Sequence, residues 1–253
     1  MSAFTILERL PAALFWDWTQ LLVLDVANQR RPESIAEDKL NKPWRPIPSG
    51  RIEANTARQL LLCSIPVSYI LSTKVLGGEY EAATLYILNW IYNELGAESH
   101  WFLRNVLNAA GLTYLAAGPT AVLIRKSTRE LEGVSIEWFL ICLAILFTTI
   151  QVQDLRDQEG DSKRGRETMP LVVGDSVTRW LTAGAILSWS IIIPAYWRSS
   201  SLLCWAVSLF LGLLSIQRLL MYRTAQDDHI TFKFWALWII GLYALPALQA
   251  VYG

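Results

Sequence analysis

The sequence predicts an all-α fold, a polytopic transmembrane helix bundle. Three observations carry this. Hydrophobic residues make up 53% of the 253 positions and charged residues only 17%, less charge than a soluble domain of this length carries on its surface. The apolar residues come in long blocks, and roughly 20 of them, rising about 1.5 Å each, span the hydrocarbon layer of a bilayer. The polar residues gather into two long stretches between those blocks.

Read in order, the blocks predict about eight spanning helices in a single domain covering residues 1–253. The first runs from Leu10 to Val26 and leads into a polar stretch that ends near Arg51. The second runs from Leu60 to Val75 and is broken by Gly77-Gly78. The third, Ala82 to Leu95, is short. The fourth covers Trp101 to Ile124. The fifth, Ile136 to Val152, enters a second polar stretch, Asp154 to Asp175. The sixth covers Val177 to Trp197, the seventh Leu202 to Tyr222 and the eighth Ile230 to Val251. Pro66, Pro119, Pro194 and Pro246 fall inside these blocks, where a membrane helix tolerates a kink. Asp17 and Asp25 interrupt the first block, and no small-residue cleavage site follows it, so no cleavable signal peptide is expected.

Cys63, Cys142 and Cys204 lie far apart inside apolar blocks, which is neither a disulfide framework nor a metal cluster. Net charge is zero, so bulk charge makes no case for a nucleic-acid partner. The partner that composition does imply is the lipid bilayer. If all eight segments span, both polar stretches fall on one face. That face carries Arg30, Arg31, Lys39, Lys42, Arg45, Arg51, Arg156, Lys163, Arg164 and Arg166, and the other carries chiefly Arg125, Lys126 and Arg129. The excess of cations orients the polar face towards the cytoplasm. The expected location is an integral, multi-pass one, in an endomembrane if the cell is eukaryotic.

The second polar stretch places Asp154, Asp157 and Asp161 at spacings of three and four, on one face of a helix end. Three clustered carboxylates at a membrane boundary repel one another unless a cation neutralises them. A hard cation such as Mg2+ takes one or two carboxylates, keeps waters and binds phosphate oxygens of a substrate. Lys163, Arg164 and Arg166 follow at once, as a loop that meets an anion requires. The plainer reading is a solvated, charge-balanced loop. In the first stretch, Asp25 and Asn28 are three apart at the exit of the first helix. Pro43, Pro46, Pro48 and Gly50 predict a stiff, extended loop that holds Lys42 and Arg45 in place. Together, two carboxylate-and-cation loops at one end of an apolar bundle suit a substrate with a diphosphate head and a hydrocarbon tail.

Asn28-Gln29, followed by Glu37-Asp38-Lys39-Leu40-Asn41-Lys42-Pro43-Trp44-Arg45-Pro46, resembles the first aspartate-rich motif of the UbiA superfamily of intramembrane prenyltransferases. Asp154-x-x-Asp157-x-x-x-Asp161, with Lys163 to Pro170 after it, resembles the second. The resemblance implies a nine-helix bundle with a lateral opening to lipid, and Mg2+-assisted ionisation of an isoprenyl diphosphate. Carried over residue by residue, it implies Asp154, Asp157, Asp161, Asn28 and Asp38 as catalytic metal ligands. It implies Lys42, Arg45, Lys163, Arg164, Asn41, Tyr92 and Arg104 as contacts to the substrate.

The first motif departs from the family pattern. Gln29 follows Asn28, Ser34 stands at the middle position, and only Asp38 of the aspartates remains; Glu33 or Glu37 are the available substitutes. Gly96 stands where a cation is expected near Tyr92, with Arg104 as the replacement. Loss of first-motif aspartates resembles the fungal branch of membrane-bound terpene cyclases, which implies cyclisation of farnesyl or geranylgeranyl diphosphate. The alternative is prenyl transfer to an aromatic or other small-molecule acceptor, and a membrane transporter is a distant third.

Aromatic faces stabilise cations by roughly 0.5–2 kcal/mol each. Of the 12 tryptophans, those near helix ends read as interfacial. Trp16, Trp18, Trp189 and Trp235 lie deeper and are the candidates for lining a cation pocket. Glu79, Glu81, Glu94, Glu98, His100 and His229 flank loops and read as solvated.

Overall fold

A computed structural model describes residues 3–125 and 133–252; Lys126 and Arg129 lie outside the described residues. Among these, eight helices have 15 residues or more: α1 (Ala3–Gln29), α3 (Ala54–Leu71), α4 (Glu79–Asn93), α5 (Trp101–Ile124), α6 (Val134–Thr149), α10 (Asp175–Tyr196), α11 (Leu202–Met221) and α12 (Ala225–Tyr252). Short helices stand between them: α2 (Pro32–Asn41), α7 (Val152–Leu155), α8 (Gln158–Arg164) and α9 (Met169–Val172). Among the described residues, six stretches are long and apolar enough to cross a membrane: Ala54–Leu76, Trp101–Ile124, Ser135–Leu155, Asp175–Tyr196, Leu202–Met221 and Ala225–Gln249. The first predicted block is not among them, because α1 is diluted by Glu8, Arg9, Asp17 and Asp25. Nor is the third, because the 15 residues of α4 reach about 22 Å, short of the hydrocarbon thickness.

The chain divides into two compact units. The first comprises Met1–Phe147 with Lys163–Arg166. Its core is built around Trp16 of α1, which is fully buried against Ala13, Ala82, Leu85 and Val122. The indole lies on Gly118 of α5, where an added Cβ would sit 1.9 Å from the ring. A small residue on one helix thus lets a large one on the other close the gap, the usual way membrane helices pack. Trp16 is therefore a packing residue. At the end of α5, Arg125 adopts a left-handed conformation, and Arg9 donates to the Leu123 carbonyl at 3.1 Å, satisfying a helix-terminal acceptor. The break at Gly77-Gly78 falls as expected, both glycines having positive φ. Before it, α3 widens into a π-helical turn over Ser72–Leu76.

The second unit comprises Thr148–Ser162 and Glu167–Gly253. Here α10, α11 and α12 meet at Ser190. Its carbonyl accepts from Ser208 at 2.8 Å and its hydroxyl from Trp238 Nε1 at 2.9 Å. Gly212 leaves room for that hydroxyl, since a Cβ there would stand 2.2 Å from it. The opposite ends of the three helices are joined by Arg179, which is fully buried. Its guanidinium donates twice to Asp228, at 2.7 Å each, to Asp175 at 2.9 Å and to the Leu219 carbonyl at 3.0 Å. Two carboxylates and a carbonyl supply the acceptors that a buried guanidinium needs.

Candidate active site

The first motif occupies the end of α1, helix α2 and the turns after it. Pro32 opens α2 at a position where its missing N–H costs nothing. The chain after α2 is compact, where the prolines predicted an extended loop. Arg45 N–H bonds to the Lys42 carbonyl and Ser49 N–H to the Arg45 carbonyl, both at 3.0 Å, and Gly50 supplies a positive φ. Proline fixes its own φ, but turns accept that value as readily as extended chain does.

These turns bring Arg45 back onto α2. It donates to both oxygens of Asp38, at 3.0 and 2.8 Å, and Asp38 is 2% exposed. Its neighbour Glu37 is held by two cations, Arg164 at 2.7 Å and Arg166 at 2.9 Å. Arg164 also donates to Glu98 at 2.8 Å and to Ser34 at 3.1 Å, and Arg31 reaches Glu98 at 3.2 Å. Both carboxylates of this network are buried, as is Arg164. Glu98 is thus no solvated loop residue, and neither is Glu81, which is fully buried. Half-buried Lys42 closes α2, its N–H bonding to the Asp38 carbonyl at 2.8 Å; Asn41 is half-buried at the last position of α2, and Lys163 is exposed.

Asn28, in the last turn of α1, belongs to a chain of amides. Asn93 donates to Asn28 Oδ1 at 2.8 Å and to Asn89 Oδ1 at 2.7 Å. Asn28 and Asn89 line a cavity of about 200 Å³ between α1, α4 and α5. Its other polar groups are Asp25, Tyr92 and Asn108; its apolar wall is made of leucines, Leu21, Leu24, Leu85, Leu88, Leu107, Leu112 and Leu115. Asn108 Nδ2 is buried and finds no hydrogen-bond partner among the described residues. Arg104 donates to the Tyr92 hydroxyl and lies 5.9 Å from the centre of its ring. The structure therefore places Tyr92 with Arg104, and Asp38 with Arg45.

The second motif runs through α7 and the start of α8, with a break of two residues between them. Helical turns persist across the break, with Asp157 N–H bonding to the Asp154 carbonyl at 3.2 Å and Asp161 N–H to the Asp157 carbonyl at 2.9 Å. Asp154, Asp157 and Asp161 are 0%, 7% and 0% exposed. Next to them Arg156 donates to His229 Nδ1 at 2.8 Å, lies over the Phe232 ring at 4.8 Å and approaches Asp157 to 3.6 Å. His229 is thus a half-buried residue of α12 and no solvated loop residue. Gln158 links the motif to Asp175 at 3.1 Å. Among the described residues, no three His, Cys, Asp or Glu side chains converge on a single point fit for a metal.

Of the other deep tryptophans, Trp18 is exposed on α1. Trp189 donates to Thr148 at 2.9 Å, and Trp235 is buried, with its ring 5.4 Å from that of Phe232. Sequence reasoning misses Arg31, Asn89, Asn93, Glu98 and Asn108. The amides carry a usable signal, since Asn89 and Asn93 are four apart, and Asn108 lies in a stretch long and apolar enough to span a membrane, where polar groups are expensive.

Comparison with known proteins identifies the family. The chain is 29% identical over 239 residues to fumagillin beta-trans-bergamotene synthase of Aspergillus fumigatus, covering 94% of this chain and 80% of that one. It is 27% identical over 222 residues to a diterpene cyclase of Hericium erinaceus, covering 86% and 69%. Its fold resembles the solved structure of a UbiA homolog from Archaeoglobus fulgidus bound to GPP and Mg2+, with a TM-score of 0.60, 12% identity and 95% of each chain covered. The family model for UbiA prenyltransferases matches residues 28–238, from the first asparagine of the first motif to Trp238 of α12. This 253-residue, multi-pass membrane chain belongs to the UbiA prenyltransferase family.

Proposed function

We propose that this membrane-embedded enzyme ionises an isoprenyl diphosphate and cyclises it, with its polar face towards the cytoplasm. The observation that carries the reading is the second motif, which buries three aspartates within eight residues. The similarity to a bergamotene synthase and a diterpene cyclase supports cyclisation over transfer.

The donor set fits Mg2+. Carboxylate oxygens are hard ligands, and this ion takes one or two of them and completes its shell with water and substrate phosphate oxygens. It does not need a preformed cage of three. Asp154, Asp157 and Asp161 would hold it, with Asn28 serving a second ion or its waters; Asp38, whose two oxygens both accept from Arg45, would position α2 in place of holding a metal. When bound, Mg2+ would neutralise the negative charge that grows on the diphosphate as the C–O bond breaks.

The chain's own groups do the rest. Lys42, Asn41 and Lys163 bind the diphosphate. Arg45 and Arg164, which hold Asp38 and Glu37, keep that end of α2 in position for it. The leucine-lined cavity takes apolar chain and excludes water from it, and Asn28, Asn89 and Asn108 present amides at its polar side. Tyr92, fixed by Arg104, offers a ring face to positive charge. In the cyclase reading the allylic cation is then attacked by a double bond of the same molecule. In the alternative, prenyl transfer, an aromatic or other small acceptor does so.

The test is incubation of membranes containing the protein with Mg2+ and farnesyl or geranylgeranyl diphosphate alone. A cyclic hydrocarbon or terpene alcohol is the expected product. Product only after an acceptor is added would replace cyclisation by transfer.

A further inference from the structure

We propose that Asp25 is the base that ends the reaction, taking the proton whose loss turns the cyclised cation into an olefin. This rests on the cyclase reading above.

Three observations point to it. Asp25 lies on α1 one turn before Asn28, and both line the 200 Å³ cavity. Asp25 is exposed, and the wall of the cavity that it lines is largely leucine. Among the described residues it makes no hydrogen bond or ion pair; Arg45, the cation acting on it electrostatically, is engaged with Asp38. It is thus neither a helix cap nor half of a salt bridge. The cavity also holds Asn108 Nδ2, a buried donor without a protein acceptor, which marks the space as one that receives a polar ligand group.

The chemistry balances. Ionisation breaks the C–O bond, and diphosphate leaves with the electron pair. Ring closure moves the positive charge to another carbon. A C–H bond next to that carbon then breaks, its electrons form the new double bond, and the proton goes to an oxygen of Asp25. Bulk water later removes it. No oxidant or second substrate is needed.

The experiment uses the full-length protein in detergent or membranes, with Mg2+ and farnesyl or geranylgeranyl diphosphate. Diphosphate release and product composition are measured side by side. For Asp25→Asn, diphosphate release is expected to continue. The wild-type olefin should fall about a hundredfold per diphosphate released, the scale of a lost general base. Water-quenched alcohols and prematurely released olefins should take its place. Asp25→Glu, which keeps a carboxylate, should restore olefin formation. If the asparagine variant does not fold, Asp25→Ser takes its place under the same criteria. An unchanged product ratio in a folded, active variant overturns the assignment of Asp25. If the wild-type protein makes no cyclic product from either diphosphate without an acceptor, the cyclase reading itself fails, and this inference with it.

Discussion

The two aspartate-rich regions arrange their charge differently. Around α2, Asp38 is gripped by Arg45, and Glu37 and Glu98 share Arg164 with help from Arg166 and Arg31. That region is a braced scaffold. Around α7 and α8, three aspartates are buried within eight residues; beside them Arg156 approaches Asp157 to 3.6 Å, donates to His229 and lies over the Phe232 ring. That region concentrates its carboxylates in one short local stretch. The difference teaches that two motifs similar in composition need not share a task equally. The first is braced by arginines from three parts of the chain, and in the proposed function most of the metal binding falls to the second.

The sharpest way to break this comparison is a matched pair of substitutions. Asp157→Asn should lower turnover about a thousandfold, the scale of losing one group that stabilises transition-state charge. Asp38→Asn, which loosens a positioning contact, should cost only about tenfold. Initial rates with saturating Mg2+ decide this. A second pair separates bracing from chemistry. Arg164→Ala leaves Glu37 and Glu98 buried with fewer cations and should destabilise the protein by about 3–5 kcal/mol. Arg156→Ala, at a more exposed guanidinium, should cost about 1 kcal/mol. Unfolding in detergent reads both.

The smallest effects concern packing within each unit. Gly118→Ala drives a methyl into the Trp16 ring, and Gly212→Ala drives one into the Ser190 hydroxyl. Each should cost about 1–3 kcal/mol. Only the second should be relieved by a further Ser190→Ala, because a hydroxyl can be removed without emptying the core while the indole cannot. Double-variant melting temperatures check this.

Much of the fold is legible in the amino-acid sequence alone. The block Trp101 to Ile124 coincides with α5, because an apolar run bounded by a glycine-containing turn leaves little choice of ends. The break at Gly77-Gly78 is readable for the same reason. Helix α2 is not, since its ten residues are mostly polar and the prolines around it signal loop as strongly as helix start. Nor is the pairing of Glu98 with Arg164. The partners are 66 residues apart, and only tertiary structure can tell a buried glutamate from a solvated one beside a turn. The second motif is recognisable because its spacing is local and helical. What holds Glu37 in the first motif is not, because Arg164 and Arg166 come from far along the chain.

The most direct test is the Mg2+ dependence of diphosphate release in the two aspartate variants, measured in one preparation against wild type. The prediction is that Asp157→Asn raises the Mg2+ concentration for half-maximal rate by about tenfold or more, while Asp38→Asn leaves it near the wild-type value and lowers only the maximal rate. Equal shifts in both variants, or a larger shift in Asp38→Asn, would contradict the division of labour between the two motifs.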